Sequence, residues 1–165
     1  MKNHLTLLLG VFITVCGFSQ TNSYWRQSIS SARSSAETSY QNTYSLSVDK
    51  FKEVLSKCPK RFNSFGPSNV IITLPNDDGK FKKYLVKETS ALHPDLARKF
   101  PDIKSYVGTS VNGDNEMVHF SMGYNKFKGI IMKPDATVAY INPYAGNSSM
   151  YTVTSKTEES ERKIS

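Results

Sequence analysis

The period of the apolar residues changes along the chain. From Ser47 to Cys58, Val48, Phe51, Leu55 and Cys58 recur at spacings of three and four, which puts them on one face of a helix over about 47–58. Ser47 stands where an N-cap belongs, Glu53 and Lys57 form an i,i+4 pair, and Pro59 ends the run. From Asn69 the period becomes that of strands. Val70-Ile71-Ile72-Thr73-Leu74 is β-branched and apolar, as a buried strand requires. The turn Asn76-Asp77-Asp78-Gly79 follows, and in Phe81 to Glu88 the residues Tyr84 and Val86 alternate with Lys83, Lys87 and Glu88. This predicts a hairpin.

His93-Pro94-Asp95-Leu96-Ala97-Arg98-Lys99-Phe100-Pro101 carries prolines near both ends and predicts a short helix over about 94–100, with Pro94 in its first turn. Further strands are predicted at 103–111, 117–122, 127–133 and 137–141, with a last one at 150–154. They are separated by Asn112-Gly113-Asp114-Asn115, Gly123-Tyr124-Asn125 and Pro134-Asp135. The fold class is therefore α+β: a mostly antiparallel β-sheet or sandwich with one amphipathic helix and one short helix, occupying residues 47–156.

The two ends differ from this middle. Met1-Lys2-Asn3-His4 is short and basic, Leu5 to Phe18 is apolar or small, and Ser19-Gln20 opens a polar stretch. That is the layout of a secretory signal peptide over residues 1–19, cleaved between Ser19 and Gln20. A membrane anchor is the competing reading, but the apolar run is short against the roughly 20 residues a spanning helix uses. A lipoprotein signal at Cys16 is a further alternative, with Val15 poorly suited to precede it. The expected mature chain is secreted or periplasmic and, with the signal removed, not membrane-bound.

Residues 20–46 hold many serines and few aliphatic side chains, and their only aromatic side chains are Tyr24, Trp25, Tyr40 and Tyr44. So little apolar surface does not offset chain entropy, so a flexible tether is expected, pinned through Trp25 or Tyr44. Residues 157–165 form a charged tail or linker, in which Arg162-Lys163 is a candidate processing site that a solvated tail explains equally well.

Composition narrows the function. With 165 residues there is room for one domain and its tails. Two cysteines, Cys16 and Cys58, support neither a disulfide framework nor a thiolate zinc site. His4, His93 and His119 are far apart, so no metal or cofactor is expected. No nucleophile elbow, P-loop or dinucleotide fingerprint is present, and no enzymatic activity is expected.

The 21 Lys+Arg against 14 Asp+Glu give a net charge of +7. The cations are scattered without a nucleic-acid-binding pattern, and they suit an acidic partner surface or solubility. Cys58 sits in Lys57-Cys58-Pro59-Lys60-Arg61, where the adjacent cations favour thiolate. Such a thiolate from a pro-segment can block the open position of a catalytic zinc; the commoner role is the last apolar residue of its helix.

Several stretches resemble a known family. They are Pro59-Lys60-Arg61-Phe62; Ser68 to Asn76 with Asp78-Gly79-Lys80-Phe81; His93 to Ala97 with Phe100-Pro101-Asp102-Ile103-Lys104-Ser105-Tyr106-Val107-Gly108; and Val138 to Tyr144. From Phe51 to about Thr157 the chain is similar to the N-terminal pro-region of secreted reprolysin-like zinc metallopeptidases of Bacteroidetes-type bacteria. The resemblance implies a folding assistant and latency inhibitor, partnered in cis or in trans by a metallopeptidase catalytic domain. The H-E-x-x-H-x-x-G-x-x-H motif of that domain is absent from this sequence, so the family's zinc-binding and catalytic residues transfer to no position here. The family position matching Cys58 is usually small, which weakens the zinc-blocking role. The alternative expectation is a free secreted β-rich module that binds a protein or glycan through Tyr106, Tyr124, Tyr140 and Tyr144.

Overall fold

A computed structural model describes residues 24–28, 43–60, 68–89, 94–144 and 147–156. Its strands are β1 (Trp25–Ser28), β2 (Thr43–Leu46), β3 (Ile71–Pro75), β4 (Phe81–Thr89), β5 (Lys104–Ser110), β6 (Met117–Gly123), β7 (Lys126–Met132), β8 (Val138–Tyr144) and β9 (Asn147–Lys156), and its helices are α1 (Val48–Leu55) and α2 (Pro94–Lys99). The nine strands form one sheet in the order β1-β2-β9-β8-β7-β6-β5-β4-β3, with every neighbouring pair antiparallel.

The sheet curls until its two edges meet. Tyr24, just before β1, accepts a hydrogen bond on its hydroxyl from the Thr73 amide of β3 at 2.7 Å. The result is a nearly closed, barrel-like sheet. Alternation along a strand dictates which residues face inward. It does not dictate whether the sheet rolls up or splits into two layers, so the sequence left both open.

Inward positions are apolar and rich in rings. Ile72 and Leu74, Tyr84 and Val86, Tyr106, Val118 and Phe120, Phe127 and Ile131, Ala139 and Ile141, and Tyr151 are all buried. Helix α1 packs against this inner face through Phe51 and Leu55. The Phe51 ring lies 5.0 Å from Tyr24, 6.0 Å from Phe120 and 5.7 Å from Phe127. The helix is shorter than predicted. Lys57 and Cys58 donate three residues back, to Val54 and Leu55, a tightened last turn that leads into Pro59. Ser47 occupies the N-cap position but makes no side-chain cap bond; its amide donates to the Tyr24 carbonyl at 2.7 Å.

The segment expected to be a tether contributes more than a pin. Its two ends form β1 and β2, with Trp25 paired to Leu46 and Tyr44 to Tyr151. Trp25 is 2% exposed and Tyr44 is fully buried. These isolated aromatic side chains fill a core built from distant strands, a gain that local composition does not reveal.

Charged groups close the ends of the interior. Lys82 bridges Asp114 and Glu116, reaching Glu116 Oε1 at 2.7 Å. The Tyr84 hydroxyl donates to Glu116 Oε2 at 2.9 Å. Lys133 Nζ grips both Asp77 oxygens, at 2.7 and 2.8 Å, and so ties the end of β7 to the β3–β4 turn. Near Cys58, Lys104 Nζ reaches Glu88 at 3.3 Å.

Candidate binding face

The outer face of the sheet is organised by strand register. One cross-strand row runs Thr89, Ser105, Ser121, Lys128, and the β7–β8 register continues it to Asn142. The adjacent row runs Lys87, Val107, His119, Ile130, Tyr140. A ladder of hydrogen-bonding side chains therefore lies beside a mixed row that holds Val107, Ile130 and Tyr140. Between them is a solvent-open depression of about 410 Å³, lined by Thr89, Ser105, His119, Ser121, Lys128, Ile130, Tyr140 and Asn142, with Tyr106, Phe120 and Gly129 beneath. Ile130 is 39% exposed, and Met117 nearby is 46% exposed. Exposed apolar groups rimmed by polar ones mark interaction surfaces.

Charge on this face has one sign. Among the described residues the outward strand positions carry Arg26, Lys83, Lys87, Lys126, Lys128 and Lys156, and no carboxylate. The carboxylates lie at turns, on the helices or at the ends of the interior, and Asp77, Glu88, Asp114 and Glu116 there are paired with Lys133, Lys104 and Lys82. Lys128 makes no ion pair among the described residues.

The residues singled out from the sequence fall in different places. His119 faces outward and exposed beside Met117 and Ser121, and it lines the depression. Tyr124 is 60% exposed at the β6–β7 turn, and Tyr140 and Tyr144 are half-buried. Tyr106 was expected on the surface but is 3% exposed: it faces inward and stacks on Phe120 at 4.9 Å and 14°. Burial, reinforced by Glu88 and Cys58, raises its phenol above the ordinary range. Ser19, Gln20, Arg162 and Lys163 lie outside the described residues.

Cys58 departs from the thiolate expectation. It is buried, and burial, with the Glu88 charge behind it, pushes the thiol up to about 12 while Lys104 opposes. Lys57 and Lys60 are exposed, so the cations adjacent in sequence do not set its surroundings. With Cys16 replaced by serine, the folded chain at pH 8 is expected to resist an aromatic disulfide reagent and to react within minutes in urea. The folded thiol stays protonated above its ordinary value of 9.0. Its contribution to stability is therefore complete below pH 9 and lost as pH rises through 12. Urea melts from pH 7 to 11 check this: the loss above pH 9 should be shallower in Cys58→Ala. Rapid labelling of the native chain would overturn the buried assignment.

Among the described residues no three His, Cys, Asp or Glu side chains stand where they could hold a metal ion, and no helix is long and apolar enough to cross a membrane. No protein-family model, curated protein or solved structure matches the chain.

Proposed function

We propose that this chain is a non-catalytic pro-region that binds and restrains the catalytic domain of a secreted zinc metallopeptidase and assists its folding. The observation that carries the reading is the set of resembling stretches from Phe51 to about Thr157. Their described parts fall just after α1 at Pro59 and Lys60, on the β3–β4 hairpin, on α2 with β5, and on β8, and the strands among them belong to one sheet. A basic outer face bearing exposed apolar groups is what a partner-binding module needs. The zinc and the general base belong to the partner, and no residue of this chain is assigned to them. The segment 142–151, at the β8–β9 connection, is the part proposed to lie along the partner's groove in the manner of an added strand.

Immobilised chain is expected to bind, at micromolar concentration or tighter, a catalytic domain with the H-E-x-x-H-x-x-G-x-x-H motif encoded in the same genome. Biolayer interferometry measures this. Absence of binding at up to about 100 μM, an affinity of about 5.5 kcal/mol, removes the reading.

A second reading, a free secreted binding module, is favoured by Tyr140 standing beside a ladder of hydroxyl and amide side chains. A peptidase frame directly after codon 165 marks a pro-region acting in cis; without one, binding of the catalytic domain in trans separates the two.

A further inference from the structure

We infer that the depression on the outer face of β4–β8 is a docking site for an extended, carboxylate-bearing segment of a protein partner. This deepens the pro-region reading and rests on it for the partner's identity: the segment belongs to the catalytic domain.

Two features point to this occupant. The first is charge. The face presents cations without a single carboxylate among its described outward strand positions, and Lys128 stands in the depression with no ion pair among the described residues. An acidic segment supplies a counter-charge to Lys128, steers encounter and fixes register. The second is dimension. The row from Thr89 to Asn142 crosses β4, β5, β6, β7 and β8. At about 4.8 Å per strand it extends roughly 19 Å, which an extended segment of about six residues covers. Along that length the chemistry is mixed: hydroxyls and an amide for backbone groups, Lys128 for a carboxylate, and Ile130 with Tyr140 for an apolar side chain. A neutral glycan fits less well. Sugar rings stack on aromatic faces, and of the tyrosines lining the depression Tyr106 is already stacked on Phe120, which leaves Tyr140 alone.

The probe is an acetylated octapeptide of alternating Glu and Leu, titrated into the purified chain and followed by two-dimensional NMR. Amide shifts are expected at His119, Lys128, Ile130 and Tyr140, with affinity falling at least fivefold between 50 and 300 mM salt. Lys128→Glu is expected to weaken binding about tenfold or more. Lys57→Glu has the same charge change at an exposed site beyond α1 and is expected to change it less than twofold. The same octapeptide with Lys for Glu should not bind.

Shifts elsewhere on the molecule, equal binding of the Lys peptide, or no effect of Lys128→Glu would each overturn the site. So would binding of chitohexaose in the depression that is unaffected by Lys128→Glu. The two proposals fail separately. If the catalytic domain binds and Lys128→Glu does not weaken it, the pro-region reading stands and this face is wrong. If the acidic peptide binds here and the catalytic domain does not bind the chain, the site stands and the pro-region reading falls.

Discussion

Replacing Trp25 by alanine is expected to destabilise the domain by about 4 kcal/mol, the middle of the range for removing a buried aromatic side chain. The size of the effect follows from the number of elements the indole joins. It enters from β1 at 2% exposure. It meets Phe127 of β7 edge-on at 5.5 Å, Tyr151 of β9 at 5.3 Å and Phe51 of α1 at 6.4 Å. Alanine leaves a cavity among rings that α1 and the sheet hold apart, and partial collapse does not refill it. A surface tether predicts something quite different, within about 0.5 kcal/mol. Urea denaturation followed by circular dichroism decides between them, and an unchanged midpoint would show that β1 does not belong to the core.

The next largest effect is expected at Gly108. This residue of β5 faces inward, paired with Val86 on one side and Val118 on the other. A Cβ there would stand 2.6 Å from Val86 Cγ1, 2.7 Å from the Leu85 carbonyl oxygen and 3.2 Å from Val118 Cγ1. The valine methyl can rotate away only at a rotamer cost, and the carbonyl belongs to the ladder joining β4 to β5. Gly108→Ala therefore forces the two strands apart and is expected to cost about 3 kcal/mol. Gly113→Ala is the control. It sits at φ +74 with nothing within 4 Å of a built Cβ, so only backbone strain opposes it, about 1 kcal/mol. Equal losses at the two positions would show that contact with Val86 and Leu85 is not what excludes a side chain at 108.

Much of this architecture was legible because strands and helices write their burial as a period. In Met117 to Met122, Val118, Phe120 and Met122 alternate with Met117, His119 and Ser121, and the strand buries the first three and exposes His119. The Asn76-Asp77-Asp78-Gly79 turn and the short helix after Pro94 are where their residues placed them. What stayed hidden depends on contacts between distant parts of the chain. Trp25 and Tyr44 look stranded among serines, because their neighbours in sequence are not the rings that bury them. Cys58 shows the same failure in its charges. Lys57 and Lys60 are exposed, and Glu88 and Tyr106 reach it through the fold. The Tyr84–Glu116–Lys82 network joins the ends of β4 and β6 and has no spacing that a sequence pattern could flag.

The candidate site was legible only as a list. Thr89, Ser105, Ser121 and Lys128 are ordinary surface residues along the chain. They become a row once the registers of β4, β5, β6 and β7 align them. The excess of lysine over acid was visible from composition. The absence of carboxylates from the described outward strand positions was not, because it follows from where the fold places them: at turns, on helices and at the ends of the interior.

As the proposed pro-region, this domain holds a zinc metallopeptidase in check. The most direct measurement titrates the purified chain into an active catalytic domain from the same genome and follows hydrolysis of a fluorogenic peptide. A saturable fall in rate is expected, half complete at micromolar concentration or below. An unchanged rate at concentrations well above that range would contradict it.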